Sequence, residues 1–161
     1  MRRASLATAL GVASLLALPS HASAQQSAAA DSIRAGAQRF IAAIASNDID
    51  KFVALFAPEP DFIYVDGGRI YPDREALKKA GSGFFKGIKT FNASWDPTKV
   101  LVTGPDAGVF TGVMKVQAEN MSGTPIWPNG KIWTLAYQRR GGKWMIVQAH
   151  EATVPAPRPP Q

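Results

Sequence analysis

The chain holds two histidines and no cysteine, so imidazole chemistry has few places to sit and thiol chemistry has none. His21 falls in an N-terminal stretch with the features of an export signal, which leaves His150, in "GGKWMIVQAHEA", for the folded part. An unperturbed imidazole titrates near neutrality and can act as general base or acid. It can equally be a neutral, hydrogen-bonded strand residue or a pocket wall. Asp66 in "YVDGG" is the carboxylate best placed to partner it, as base or orienter. An Asp before Gly-Gly is also what a tight turn selects for its own hydrogen bonds. If the two side chains converge, the chemistry is cofactor-free proton transfer: isomerisation, dehydration or aldol-type cyclisation. Asp61 and Glu151 read as a solvated strand end and a surface position.

Other chemistries lack their residues. One histidine, no cysteine and dispersed carboxylates make no zinc or iron site, so no metal or cofactor is expected. There is no G-x-S-x-G, and Ser82 in "GSG" lies at a helix end with no base nearby in sequence. No glycine-rich loop follows a strand and opens a helix, which removes nucleotide binding. The net charge of +6 falls to +4 without Arg2 and Arg3, and the basic residues are scattered rather than striped. Nucleic acid is therefore not an expected partner.

These candidates need elements to hold them. Arg2 and Arg3, an apolar run from Leu6 to Leu18, Pro19 and then Ala22-Ser23-Ala24 read as a secretory signal over residues 1–24, cut after Ala24. No second apolar run is long enough for a membrane anchor, so a periplasmic product is expected. Residues 25–30 read as a loose leader. From Asp31 or Ser32 as N-cap, Ile33, Ala37, Phe40, Ile41 and Ile44 recur at helical spacing. A shorter helix follows Asn47-Asp48, with Ile49, Phe52, Val53 and Phe56 on one face, ended by Pro58 and Pro60. "DFIYVDGGRIY" reads as a hairpin turning at Gly67-Gly68. Asp73 caps a third helix with Leu77, Ala80 and Phe84 on one face. Four strands follow after Gly87, and residues 155–161 form a proline-rich tail. Helices segregated from one antiparallel sheet make α+β architecture in a single domain over residues 31–154.

The last hairpin fixes a register if Gly141-Gly142 is a two-residue turn. Arg139 then faces Trp144, Tyr137 faces Ile146, Leu135 faces Gln148, and Trp133 faces His150, all on one face. That face holds the bulk and is assigned to the helices and a pocket. The opposite face, Ile132, Thr134, Ala136 and Gln138 against Met145, Val147, Ala149 and Glu151, is flatter and suits a contact between subunits. A slip of one residue would exchange the faces. On this register Gln148 and His150 emerge beside Trp133, with Tyr64, Trp95 and Tyr137 as further pocket walls, the usual make-up of a small-molecule site.

The element order, with "VDGGRIYPDREALKKA" after a short hairpin and a terminal W-x-I-x-x-x-H strand, resembles the SnoaL-like, ketosteroid isomerase-like branch of the nuclear transport factor 2-like superfamily. The resemblance implies a cone-shaped roll: three N-terminal helices packed on a strongly bent antiparallel sheet, with an apolar pocket at its mouth. It also implies a homodimer paired through the sheet. Relatives include isomerases, cyclases and dehydratases as well as non-catalytic binding modules. Ketosteroid isomerases place a carboxylate near the position of Asp66, a tyrosine on the first helix and an acid on the penultimate strand. Here the tyrosines are Tyr64, Tyr71 and Tyr137, and the penultimate strand offers Trp133 and Thr134, so a close ketosteroid isomerase is not expected. The expected function is binding of a small apolar or aromatic molecule, with acid–base activity if His150 and Asp66 meet. The alternative is a non-enzymatic partner-binding or assembly module on the same fold.

Overall fold

The computed structural model describes residues 19–58 and 60–156. Most of the expected signal segment, 1–18, and nearly all of the tail lie outside the described residues. Helix α1 (Pro19–Ala45) carries the expected stripe: Ile33, Ala37, Phe40, Ile41 and Ile44 are all buried. It begins well before the expected cap at Asp31 or Ser32 and runs through residues 25–30, which the sequence reading leaves as a loose leader. Alanine is the strongest helix former, and the alanine-rich run before Asp31 extends the helix backwards. Ser32 accordingly donates its hydroxyl to the Ala28 carbonyl at 2.8 Å, as a helix-interior serine does.

Asn47, at φ +54°, ends this helix, and Asp48 caps α2 (Ile49–Val53) by accepting from the backbone N–H groups of Asp50 and Lys51. The strands β1 (Ile63–Asp66) and β2 (Arg69–Tyr71) form the expected hairpin. Gly67 and Gly68, at φ +54° and +80°, supply the conformation a type I′ turn demands. Asp73 caps α3 (Arg74–Gly87) through the Ala76 N–H. The long strands β3 (Ile88–Gly104) and β4 (Ala107–Asn120), then β5 (Lys131–Arg140) and β6 (Lys143–Thr153), complete a six-stranded bent sheet in the order β2-β1-β6-β5-β4-β3.

Two details depart from the sequence reading. The sheet is mixed, not wholly antiparallel, because β1 runs parallel to β6. The β5–β6 register also holds only near the turn. Arg139 faces Trp144 and Tyr137 faces Ile146 as expected, but the ladder then slips by one, so Ala136 faces Gln148, Leu135 faces Ala149 and Trp133 faces Glu151. Val147 is the extra residue of this β-bulge. The slip coincides with a change of neighbour along the edge of β6. Ile146 exchanges backbone hydrogen bonds with Leu55 and Ala57, at 3.0 and 2.7 Å, whereas Gln148 to His150 pair with β1.

The core lies between α1 and the inner face of the sheet. Phe40 is its centre, with ring centroids 4.7 Å from Trp133, 5.1 Å from Phe52 and 6.4 Å from both Phe56 and Trp95. Burial of one such side chain stabilises the fold by roughly 1.5–3 kcal/mol. Gly36 lets α1 lie close on Tyr137, since a Cβ there would stand 2.8 Å from the Tyr137 ring.

Candidate functional site

The helices do not fill the whole concave face of the sheet. Between α3 and the inner ends of β1, β2, β5 and β6 lies a cavity of about 210 Å³. The third helix presents Leu77, Ala80, Gly81 and Phe84 to it, an i, i+3, i+4, i+7 face, and Phe52 of α2 and Ile44 of α1 close the floor. The hairpin contributes Tyr64, Asp66 and Tyr71. Tyr64 and Asp66 are two residues apart on β1 and so share a face, and Tyr71 lies directly across from Tyr64. From the 121–130 loop comes Trp127, a bulky residue at φ +48°, whose ring stacks on Phe84 at 5.0 Å and 18°.

Polar groups meet at one wall. Lys131 and Trp133 on β5 share the buried parity of that strand, and the slip at Val147 brings Glu151 opposite Trp133. The Lys131 ammonium donates to Glu151 Oε1 at 2.6 Å, and Tyr64 donates its hydroxyl to Glu151 Oε2 at 3.2 Å. The Lys131 and Glu151 side chains retain only 10% and 3% of their exposure. Lys131 also lies 5.3 Å from the centroid of the Trp127 ring.

Burial, reinforced by a hydrogen bond with Asp66, pushes the Glu151 carboxyl up to about 7, against the pull of Lys131. Burial also pushes the Tyr64 phenol well above its ordinary range, with Glu151 next in effect, so its hydroxyl stays a donor. The assembly is a carboxyl able to gain or lose a proton at neutral pH, a second carboxyl beside it, a phenol donor and an ammonium. All sit in a wall otherwise made of rings. Such a wall can exchange protons with a bound molecule without metal or cofactor.

The site residues read from sequence separate into three groups. Tyr64, Asp66 and Trp133 line the cavity. Trp95 and Tyr137 are on the inner face but belong to the packed core: Trp95 donates to the Ala37 carbonyl at 2.9 Å and meets Phe110 at 4.9 Å, and Tyr137 lies under Gly36. Gln148 and His150 are exposed on the outer face. The bulge is the physical reason: past Val147 each side chain of β6 points opposite to the face that a regular hairpin assigns. His150 therefore pairs with Thr134 and Val65 rather than Trp133 and does not meet Asp66 in the cavity. Glu151, read as a surface position, is one of the few buried charged residues, and Lys131 is another. Lys131 was accessible to sequence reasoning, because it shares parity with Trp133, Leu135 and Tyr137. Asp61, the other carboxylate considered, pairs with Arg140 at 2.5 Å on the surface.

A sequence profile of the SnoaL-like domain matches residues 33–157. The chain belongs to the SnoaL-like family. Solved structures agree on the fold of this SnoaL-like domain. A candidate dehydratase of the NTF2-like family from Streptomyces avermitilis is similar at 15% identity and a TM-score of 0.68, over 81% of this chain and 99% of that one. A candidate scytalone dehydratase from Novosphingobium aromaticivorans is similar at 12% identity and a TM-score of 0.70, over 82% and 88%. A hexachlorocyclohexane dehydrochlorinase is similar at 14% identity and a TM-score of 0.64, over 81% and 88%. At these identities the likeness is one of fold. No curated protein matches the sequence. Among the described residues, no helix is long and apolar enough to cross a membrane.

Proposed function

We propose that this SnoaL-like protein is exported and binds a small, flat apolar or aromatic molecule in the cavity between α3 and the sheet, where Glu151 and Asp66 carry cofactor-free proton transfer of the isomerase, dehydratase or cyclase type. The observation that carries this reading is the burial of Glu151 between Lys131, Tyr64 and Asp66 in an aromatic wall. Burial of this kind is costly for stability alone, and perturbed carboxyls in clefts are the groups that acid–base sites use. Fold-level likeness to a dehydrochlorinase and candidate dehydratases supports the reaction class. Export rests on the n-region, the apolar run and the Ala22-Ser23-Ala24 pattern, and it makes the mature chain begin at Gln25.

A second reading is a non-enzymatic partner-binding or assembly module. Ile132 on the outer face of the sheet and Ile63 and Ile70 of the hairpin are exposed apolar residues, which favours a sheet-mediated homodimer under either reading.

Native mass spectrometry of protein purified from its own periplasm tests both. A mature mass starting at Gln25, a dimer and a retained small molecule are the expected result. Ligand-free chain found only with a different protein bound would favour the assembly module. For a ligand found to be turned over, Glu151→Gln should lower kcat by about 100-fold or more, the scale of a lost general acid or base. Unchanged turnover would remove Glu151 from the chemistry.

A further inference from the structure

Charge is distributed unevenly in the cavity wall. Lys131 is its single cation among the lining residues, facing two carboxyls, Asp66 and Glu151. Both sides of the ammonium are already engaged, one by Glu151 Oε1 at 2.6 Å and another by the Trp127 ring at 5.3 Å. A ligand carboxylate or phosphate would have to share Lys131 with Glu151, which puts a further negative charge beside Glu151 and Asp66. A ligand ammonium would bring a second positive charge beside Lys131. Either outcome leaves a desolvated charge uncompensated, which proteins avoid. An uncharged ligand leaves the pair intact, and its hydroxyl or carbonyl can still exchange hydrogen bonds with Glu151 or Tyr64. Size narrows the class further. An apolar cavity of roughly 150 Å³ holds benzene, so about 210 Å³ suits one substituted ring or two fused rings.

Resting on the binding role proposed above, we propose that the Lys131–Glu151 ion pair is a charge filter. It restricts the cavity to uncharged one- or two-ring molecules bearing a hydroxyl or carbonyl, and the carboxylate half of the pair sets that preference. Glu151 is then the specificity-determining residue. Replacing it by a neutral isostere exposes the Lys131 charge and turns the same cavity into a site for aromatic anions.

Three probes sharing one ring system test this: 2-naphthol, 2-naphthoate and 2-naphthylmethylamine. They are titrated calorimetrically at about pH 8, above the Glu151 titration, where the naphthol is neutral and the other two are charged. The unmodified protein should bind naphthol at least about tenfold tighter than either ion, Glu151→Gln should bind naphthoate at least about tenfold tighter than naphthol, and the double variant Glu151→Gln with Lys131→Met should prefer naphthol again. A purely structural ion pair would lower all affinities together and leave their order unchanged.

Preference of the unmodified protein for either ion overturns the filter, as does an unaltered order in folded Glu151→Gln. Where Glu151→Gln does not fold, Lys131→Met carries the test. It should weaken naphthoate relative to naphthol still further, and a gain for naphthoate overturns the filter. If none of the three probes binds to any of these proteins, the cavity-binding reading itself fails.

Discussion

The two ends of the sheet's inner face are both built from aromatic rings, yet one is sealed and the other hollow. At the sealed end Trp95, Phe110 and Tyr137 close on Ile33, Gly36 and Ala37 of α1, and the Tyr137 hydroxyl has no hydrogen-bond partner among the described residues. At the hollow end Tyr64, Trp127 and Trp133 surround a cavity, and the carboxylate, ammonium and phenol in its wall are joined to one another, while the Trp133 Nε1–H has no partner among the described residues. The contrast teaches where each kind of free energy resides. The sealed end is held by packing and the Trp95–Ala37 hydrogen bond, and the unpaired Tyr137 hydroxyl detracts from it. The hollow end is held by paired polar groups whose burial is poorly explained by stability, which is the usual signature of a site.

Substitutions can break or sharpen that contrast. The largest effect belongs to Glu151→Ala, which leaves Lys131 buried beside a missing partner. It should cost about 3–5 kcal/mol in urea denaturation, whereas Lys131→Met with Glu151→Leu should recover most of the loss or exceed the native value. Equal losses in the single and double variants would show that the two charges are not coupled.

Next in size is a pH effect. The folded state holds the Glu151 carboxyl at about 7 against an ordinary 4.5, so it binds a proton that the unfolded chain has released. The contribution of Glu151 to stability therefore falls as pH rises from about 4.5 to about 7 and levels off above, by roughly 3 kcal/mol for a shift of this size. Denaturation midpoints across that window should slope for the native protein and flatten in Glu151→Gln; matching slopes would remove Glu151 as their source.

At the sealed end, Tyr137→Phe deletes a buried hydroxyl that has no partner. It should leave stability within about 1 kcal/mol of native, with stabilisation the expected sign. A loss well beyond that would reveal a bonded hydroxyl and blur the contrast. The smallest effect is that of His150→Ala, an exposed change on the outer face. It should shift stability by no more than about 0.5 kcal/mol and leave ligand affinity unaltered. A weakened ligand would mean that the outer face takes part in binding.

Local signals carried most of the fold. The helical stripe on α1, the caps at Asp48 and Asp73, and the glycine pairs at 67–68 and 141–142 all act within a few residues, so periodicity and turn chemistry expose them. The parallel pairing of β1 with β6 is not local, and nothing within "DFIYVDGG" encodes its neighbour. The site divides in the same way. Trp133 could be placed on the cavity side from the last hairpin, and Lys131 with it by parity, whereas parity puts Tyr64 and Asp66 on one face of β1 without saying which. Glu151 could not, because its facing depends on the slip at Val147. That slip accompanies the hand-over of β6's edge from Leu55 and Ala57 to β1, a tertiary event.

That single extra residue has a consequence for how this chain can change. Along a regular strand, turning a carboxylate wall into an imidazole wall takes a substitution. On β6 it needs no new side chain, only a ladder that runs through Val147 without the bulge: His150 would then face Trp133 and Glu151 would turn outward. A slip of register is usually regarded as a fault of folding, but at this position it would act as an edit to the reagents of the cavity.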